Sequence, residues 1–504
     1  MEKITITKKN EAFLHIETEP SVERELSEHF CFFVPGYKFM PAYRNRMWDG
    51  KIRLFDQRKK TMYCGLFNYI KEFAELRDYD IITKNNDTYG SPEDIDDVHL
   101  NYITEGLELT ANGNKIQPRD YQLSALKHVL SNRKSLLLSP TASGKSLIIY
   151  MAIRAFLDSS MPNFTEGKNR NVLIIVPTTS LVEQMYSDFN DYSSTDDWSA
   201  EENCHRIYSG REKFNLSQRV IITTWQSVYK LPTKWFENFG MVIGDEAHQF
   251  KAKSLTSIME KCTNAKYRIG TTGTLDGTQT HQLVLEGLFG PVHKVTTTKN
   301  LIDNKDLAEL NINILLLKYK EEYSKVKRDY QEEMDFIVKY GPRNNFISNL
   351  ALDSKGNTLI LFQYVEKHGK PLHDILSKKV SEDRKLFYVS GETDVDTREK
   401  VREITETQTD AIIVASMGTF STGINIRNLH NIVFASPSKS QIRVLQSIGR
   451  GLRKSSNGKP TTIYDIADDL HWKSRKNYTL QHAAERIKIY TKEKFTYKVY
   501  DINI

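Results

Sequence analysis

Gly144, Lys145 and Ser146 close the run Ser139-Pro140-Thr141-Ala142-Ser143-Gly144-Lys145-Ser146. A polyphosphate needs backbone N–H groups curled around it, a lysine reaching its outer phosphates and a hydroxyl on the accompanying Mg²⁺. The run supplies all three, with Ser139 where a first glycine usually stands. Residues 135 to 138 predict a strand leading in, and the pattern from Leu147 to Phe156 predicts a helix leading out. A chance Gly-Lys-Ser turn is the alternative, and the flanking strand and helix weigh against it. Asp245-Glu246-Ala247-His248 follows at the end of the apolar run Met241 to Gly244, 245 − 145 = 100 residues beyond the lysine. A carboxylate at the end of a strand can face Mg²⁺ together with Ser146, while Glu246 orients and deprotonates a water for in-line attack. Alone, these four residues could be an acidic turn that caps a helix. Beside a phosphate loop they predict ATP hydrolysis, with Ser146 and Asp245 as the metal ligands.

Other short motifs follow in order. Pro118-Arg119-Asp120-Tyr121-Gln122 resembles the adenine-sensing motif of helicases, which implies Arg119 and Gln122 as contacts to the base. Val176 to Gln184, containing Thr178, and Thr223-Thr224-Trp225-Gln226-Ser227 resemble two motifs with which the first domain of such enzymes grips nucleic acid. Thr272-Gly273-Thr274 resembles the motif that couples hydrolysis to movement, with Gly in place of the commoner Ala. Later come Leu361-Phe362-Gln363, then Gly418 to Asn425 with Thr419 and Gly423, and finally Gln446-Ser447-Ile448-Gly449-Arg450-Gly451-Leu452-Arg453.

Nine ordered motifs over residues 117 to 453 resemble the superfamily 2 helicases. The Asp-Glu-Ala-His box goes with the recombination and repair branch, since no long RNA-specific C-terminal extension follows. Arg46 to Phe55 (RMWDGKIRLF) is similar to the phage members of that branch. The resemblance implies Lys145, Asp245, Glu246, Gln446, Arg450 and Arg453 as the catalytic set. It adds Gly423 to the ATP contacts and makes His248 a coupling residue beside Thr272, Gly273 and Thr274. Thr178, Thr224, Gln363 and Thr419 become contacts to the DNA backbone. Arg450 and Arg453, three apart at the start of a helix, can point the same way and serve as arginine fingers from a second domain; a basic helix end in solvent is the bland alternative. The implied cofactors are ATP and Mg²⁺. The implied partners are branched duplex DNA, single-stranded DNA and RNA–DNA hybrids, with single-strand-binding or recombination proteins beside them. The implied work is fork regression, Holliday-junction branch migration and R-loop unwinding by a monomer in the cytoplasm of the host. A duplex translocase that does not separate strands and an ATP-gated DNA clamp are the competing readings.

These groups need a frame to hold them. The 504 residues suggest three or four domains, and 39% hydrophobic with 27% charged residues is an ordinary globular composition. No run reaches the roughly 18 apolar residues of a membrane span. Four scattered cysteines suit buried thiols better than disulfides or zinc. Short apolar runs alternate with helical patterns from about residue 100, and the alternation restarts near 358, predicting two tandem α/β domains whose parallel sheets are flanked by helices; the resemblance implies that both are RecA-like. The expected layout is a small α+β DNA-binding domain over 1–95, RecA-like domains over 96–285 and 286–455, and a helical C-terminal segment over 456–504. Residues 84 to 97 read as a linker and 320 to 340 as an exposed charged helix.

The net charge of +6 is concentrated. Residues 36 to 60 hold eight Lys/Arg against two Asp, a balance of 8 − 2 = +6. Arg44, Arg46, Lys51 and Arg53 are the expected DNA contacts there, while Tyr37, Phe39 and Phe55 are assigned to a small core. The basic stretch Trp472 to Lys494 reads as a cap on the second domain, a substrate contact or, equally, a solvated basic helix. His99, His293 and His430 have no metal-ligand spacing and read as structural.

Overall fold

The computed structural model describes residues 2–84, 95, 97–158, 171–208, 210–250, 252–275, 279–423, 426, 428–436, 440, 444–445, 447–449, 452 and 460–504. The chain divides into two compact units, Met1–Ser139 with Gly144–Val295 and Pro140–Ser143 with Thr296–Ile504.

The first unit is built on a seven-stranded sheet in the order Cys204–Ile207, Val220–Thr224, Asn171–Val176, Phe239–Asp245, Tyr267–Thr272, Lys134–Leu138, Val292–Lys294. Every neighbouring pair is parallel. Near-continuous apolar runs form the central strands Asn171–Val176 and Phe239–Asp245 because both faces are covered. Leu173 and Ile175 point into one core, and Val172, Ile174 and Val176 into the other. Arg268, fully buried on the strand Tyr267–Thr272, donates to the carbonyls of Met259 (2.7 Å), Cys262 (2.9 Å) and Leu288 (2.8 Å). These are the last carbonyls of two helices, Lys253–Lys261 and Gln279–Phe289, where a cation is favoured. The expected break at 285/286 therefore falls inside a helix. That helix and the strand Val292–Lys294 belong to the first sheet, and the unit extends to Val295.

The N-terminal residues form a four-stranded sheet ordered Thr61–Tyr63, Phe13–Glu17, Lys3–Lys8, Asp80–Lys84, with helices Pro20–His29 and Phe67–Glu75. Ile4, Ile6, Leu14 and Ile16 alternate inward and bury one face. This core is continuous with that of the large sheet. Polar contacts reinforce the junction: Tyr63 OH donates to Glu260 Oε1 at 2.7 Å, Tyr69 OH to Glu286 Oε2 at 2.6 Å, and Glu11 lies 2.8 Å from Lys8 Nζ and 2.7 Å from Lys134 Nζ. Burial alone would raise the Glu11 pKa; the two lysines outweigh it and hold the carboxyl below its ordinary range. The expected linker over 84 to 97 lies mostly outside the described residues.

The second unit repeats the plan, with seven parallel strands ordered Leu386–Val389, Ile412–Ser416, Thr358–Phe362, Asn431–Phe434, Thr461–Asp469, Leu310–Lys318, Tyr497–Asn503. The C-terminal stretch carries the expected helix, Tyr478–Lys492, and also two strands of this sheet. Buried ion pairs bind it in: Arg343 Nε donates to Asp468 at 2.7 Å, and Arg486 Nη2 to Asp465 at 2.6 Å. Residues 320 to 340 are not one exposed helix. They form Glu321–Lys325 and Tyr330–Lys339, and the second buries Met334, Ile337 and Val338. The charges that suggested exposure include Glu333, which is buried and accepts from the N–H groups of Tyr478 (3.0 Å) and Thr479 (2.7 Å), so it caps the C-terminal helix.

Cys204 and Cys262 are buried as expected, but Cys31 and Cys64 are only half-buried; all four are free. His293 stacks on His128 at 3.7 Å, and His430 Nδ1 accepts from Asn357 N–H. Phe55 is core, whereas Phe39 is 76% exposed and Tyr37 half-buried, so the assignment of Phe39 to the core is corrected. Among the described residues no helix is long and apolar enough to cross a membrane.

Gly65 marks how closely the N-terminal sheet docks, since a Cβ there would collide with the Glu286 backbone carbonyl. Gly65→Ala should cost about 1–3 kcal/mol, the range for overpacking. Gly341→Ala, which meets nothing within 4 Å, serves as the control. Denaturant unfolding of the two variants checks this, and equal midpoints would contradict the shared core.

Candidate active site

Apart from the motif over 118–122, which opens the helix Asp120–Asn132, the first-unit motifs stand at one edge of the sheet, where parallel strands end and loops begin, the usual place for ligands in such folds. The strand register sets their spacing. Asp245 lies opposite Thr271, Thr272 opposite Leu138, and Val176 opposite Thr224. Phosphate-loop, acidic and coupling residues thus crowd the neighbouring ends of three strands, and Thr178 and Thr224 occupy the two strand ends beyond Asp245.

The phosphate loop leaves the strand Lys134–Leu138 at Ser139, whose N–H donates to Thr272 O at 2.8 Å. Within it the Ser143 hydroxyl donates to Pro140 O at 2.6 Å, and Ala142 (φ +66°) and Gly144 (φ +79°) are left-handed. The helix Lys145–Leu157 then begins. The Gln122 amide packs against Gly144 so closely that a Cβ at 144 would strike it. Gln122 is positioned by a capping box, accepting from Arg119 N–H at 2.9 Å at the start of the helix Asp120–Asn132. Arg119 is exposed and donates to Tyr121 OH at 2.9 Å.

Lys145 Nζ lies 3.4 Å from Glu246 Oε1. Glu246 itself is left-handed at φ +51°, an unusual conformation for a side-chain-bearing residue. Asp245 ends its strand buried, accepting from the Thr271 hydroxyl at 2.7 Å. Burial raises its pKa, against the attraction of nearby Lys145, and Glu246 adds to the rise. A buried carboxylate and a serine hydroxyl are hard oxygen donors of the kind Mg²⁺ takes, so Asp245 and Ser146 fit that ion chemically. His248 Nδ1 is 3.3 Å from Glu246 Oε2 and 3.1 Å from Thr272 Oγ1, and Thr274 N–H donates to Thr272 Oγ1 at 3.4 Å. A polar chain therefore joins Lys145, Glu246, His248 and the Thr272-Gly273-Thr274 turn.

Sequence reasoning missed Tyr192, whose hydroxyl is 2.9 Å from Ser146 Oγ. It sits 46 residues away at the end of the helix Thr179–Tyr192, and nothing local marks it. Arg268, whose guanidinium secures the helices behind the acidic and coupling motifs, was missed for the same reason.

Among the proposed DNA contacts, Thr178 caps the helix Thr179–Tyr192 and accepts from Leu181 N–H at 3.4 Å. Thr224 is buried with its hydroxyl 3.0 Å from Ser227 Oγ. In the second unit Gln363 is exposed at a strand end, its N–H donating to the Ser436 hydroxyl at 3.1 Å. Thr419 is buried, 2.6 Å from Ser416 Oγ, in the helix Met417–Gly423 that Gly423 closes. Gln446, Arg450 and Arg453 lie outside the described residues. Arg44 and Arg46 are exposed, Arg53 pairs with Asp49, and Lys51 Nζ stands 5.0 Å over the Phe33 ring.

Comparison with known proteins matches residues 3–84 to the family "DNA helicase UvsW, N-terminal", 115–277 to "Type III restriction enzyme, res subunit" and 342–455 to "Helicase conserved C-terminal domain". The chain is 35% identical over 509 residues to the ATP-dependent DNA helicase uvsW of Enterobacteria phage T4, covering 97% of this chain and 98% of that one. It is 23% identical to the DNA 3'-5' translocase XPB2 of Sulfurisphaera tokodaii, covering 70% and 82%. Among solved structures it matches T4 UvsW with a TM-score of 0.53 at 33% identity over 99% of both chains. An HsdR fragment of a type I restriction enzyme from Vibrio vulnificus matches at TM-score 0.58 and 18% identity over 81% of this chain and 72% of that one, which speaks to the fold alone. With 35% identity spread over nearly the full length of both chains, this chain belongs to the UvsW helicase family.

Proposed function

We propose that the protein is an ATP-dependent DNA helicase that remodels branched DNA, regressing forks, migrating Holliday junctions and unwinding R-loops. One observation carries the reading. Lys145 and the acidic and backbone-gripping motifs share one edge of the first sheet, and the unit that holds them also carries the basic N-terminal lobe. Likeness to the T4 helicase over the whole chain supports it.

The chemistry follows from which groups compete for Lys145. Its ammonium now neutralises Glu246. Nucleotide phosphates at the loop draw the lysine toward themselves and leave the Glu246 carboxylate free to take a proton from water. His248, beside both Glu246 and Thr272, then carries the change to the coupling turn. When bound with nucleotide, Mg²⁺ on Ser146 and Asp245 supplies charge neutralisation for the phosphates. Arg450 and Arg453 are assigned a catalytic role on the strength of their motif alone.

Matched forked, four-way and R-loop substrates offered to purified protein with ATP test the activity. Strands should be exchanged or released on all three, and motion along duplex with no release would instead favour a translocase. Lys145→Ala should lose hydrolysis and unwinding yet still bind DNA, and DNA-stimulated hydrolysis in that variant would remove the loop from the mechanism. Glu246→Gln should bind ATP and turn it over about 10²–10⁴ times more slowly, measured as phosphate release; a normal rate would move the base elsewhere. Arg453→Ala should lower turnover about 10³-fold or more with nucleotide affinity kept. Replacing Arg44, Arg46 and Lys51 together with Ala should reduce the slope of log affinity against log salt by about 2.7, at roughly 0.9 per phosphate contact. An unchanged slope would make the cluster a merely solvated face.

A further inference from the structure

Residues 34–50 form an excursion between two short paired strands, Cys31–Phe33 and Lys51–Arg53. The excursion holds four aromatic rings and two methionines, yet of its residues only Gly50 is buried. Phe39 is 76% exposed and Met47 74%. The segment is nevertheless held in shape. Phe33 stacks on Tyr37 with centroids 4.6 Å apart, Tyr43 stands edge-on to Tyr37 at 4.8 Å, and the Trp48 indole N–H donates to Lys51 O at 2.9 Å. Arg46 is fixed in the left-handed region at φ +56°, its N–H donating to Tyr43 O at 3.0 Å. Large apolar side chains that reach no core, on a framework that fixes them, make a contact surface.

Charge says what meets it. Lys38, Arg44 and Arg46 stand in the same excursion against a single carboxylate, Asp49, which is already paired with Arg53. Lys38, Tyr43, Arg44, Arg46, Met47 and Trp48 line an open cleft of about 590 Å³. Cations interleaved with apolar and aromatic side chains suit phosphates beside exposed base faces. Inside an intact duplex every base face is covered by its neighbours, so a stacking side chain finds a free face only at an end or a branch.

We propose that Phe39 and Met47 form a junction-opening tip. At a branch point they cover the open face of the last base pair and keep the strands parted, while Lys38, Arg44 and Arg46 hold the flanking phosphates. The two strands that carry the excursion pack Phe32 and Ile52 against the core that the N-terminal sheet shares with the large sheet, so the tip is anchored to the first unit. This proposal rests on reading the basic lobe as a DNA-binding surface.

Permanganate oxidation of thymines in the first base pairs of a fork reports their opening. Full-length protein at saturation should make them reactive. The Phe39→Ala/Met47→Ala variant should lose most of that reactivity and separate fork strands about tenfold more slowly, with the salt slope of fork binding kept. Phe39→Trp should retain the opening, since a larger ring still stacks. Both side chains are exposed, so thermal midpoints should match the parent. Wild-type thymine reactivity in the double variant would overturn the tip. An unchanged salt slope in the Arg44, Arg46 and Lys51 triple variant would instead overturn the DNA-binding reading beneath it, so the two failures are told apart.

Discussion

The Asp245 carboxylate is buried at the end of its strand, and a buried charge must be compensated. The Thr271 hydroxyl and the following backbone N–H give partial relief, and Lys145 supplies the nearest positive charge. Much of the first unit follows from that demand. The phosphate loop brings Lys145 within reach of both carboxylates, Glu246 takes a left-handed backbone to face it, and His248 and Thr272 close the chain of polar contacts. An arrangement so dependent on one shared lysine is altered by any polyanion that competes for it.

Compensation at Asp245 would achieve little mechanically if the surrounding elements could yield. Arg268 resists this by tying two helix ends behind the acidic and coupling motifs, and the shared apolar core extends that stiffness to the N-terminal sheet. Tyr63, Tyr69 and Glu11 then fix the sheet's orientation through partners in the larger domain. The basic lobe is thereby a fixed projection of the first unit.

Legibility in the sequence followed the range of the interactions. The phosphate loop, the acidic box and the threonine motifs are contiguous, and each follows an apolar strand, so their places just beyond strand ends could be read directly. Tyr192, Arg268 and Glu333 act on partners far away in the chain, and no local pattern announces them. Phe39 was misassigned because aromatic spacing alone does not distinguish a core from a surface. The boundary at 285 failed because the edge strand Val292–Lys294 is short and bears no apolar run. Residues 320 to 340 misled because Glu333 is charged yet buried as a helix cap.

A motor and a switch differ in how hydrolysis answers to substrate. The most direct measurement is steady-state ATP turnover with and without forked DNA, in parallel with the rate of branch migration on the same DNA. If the Lys145–Glu246 site drives movement, forked DNA should raise turnover at least tenfold, and migration should rise and saturate with it. Turnover indifferent to DNA, or migration that proceeds while hydrolysis is blocked, would contradict the account.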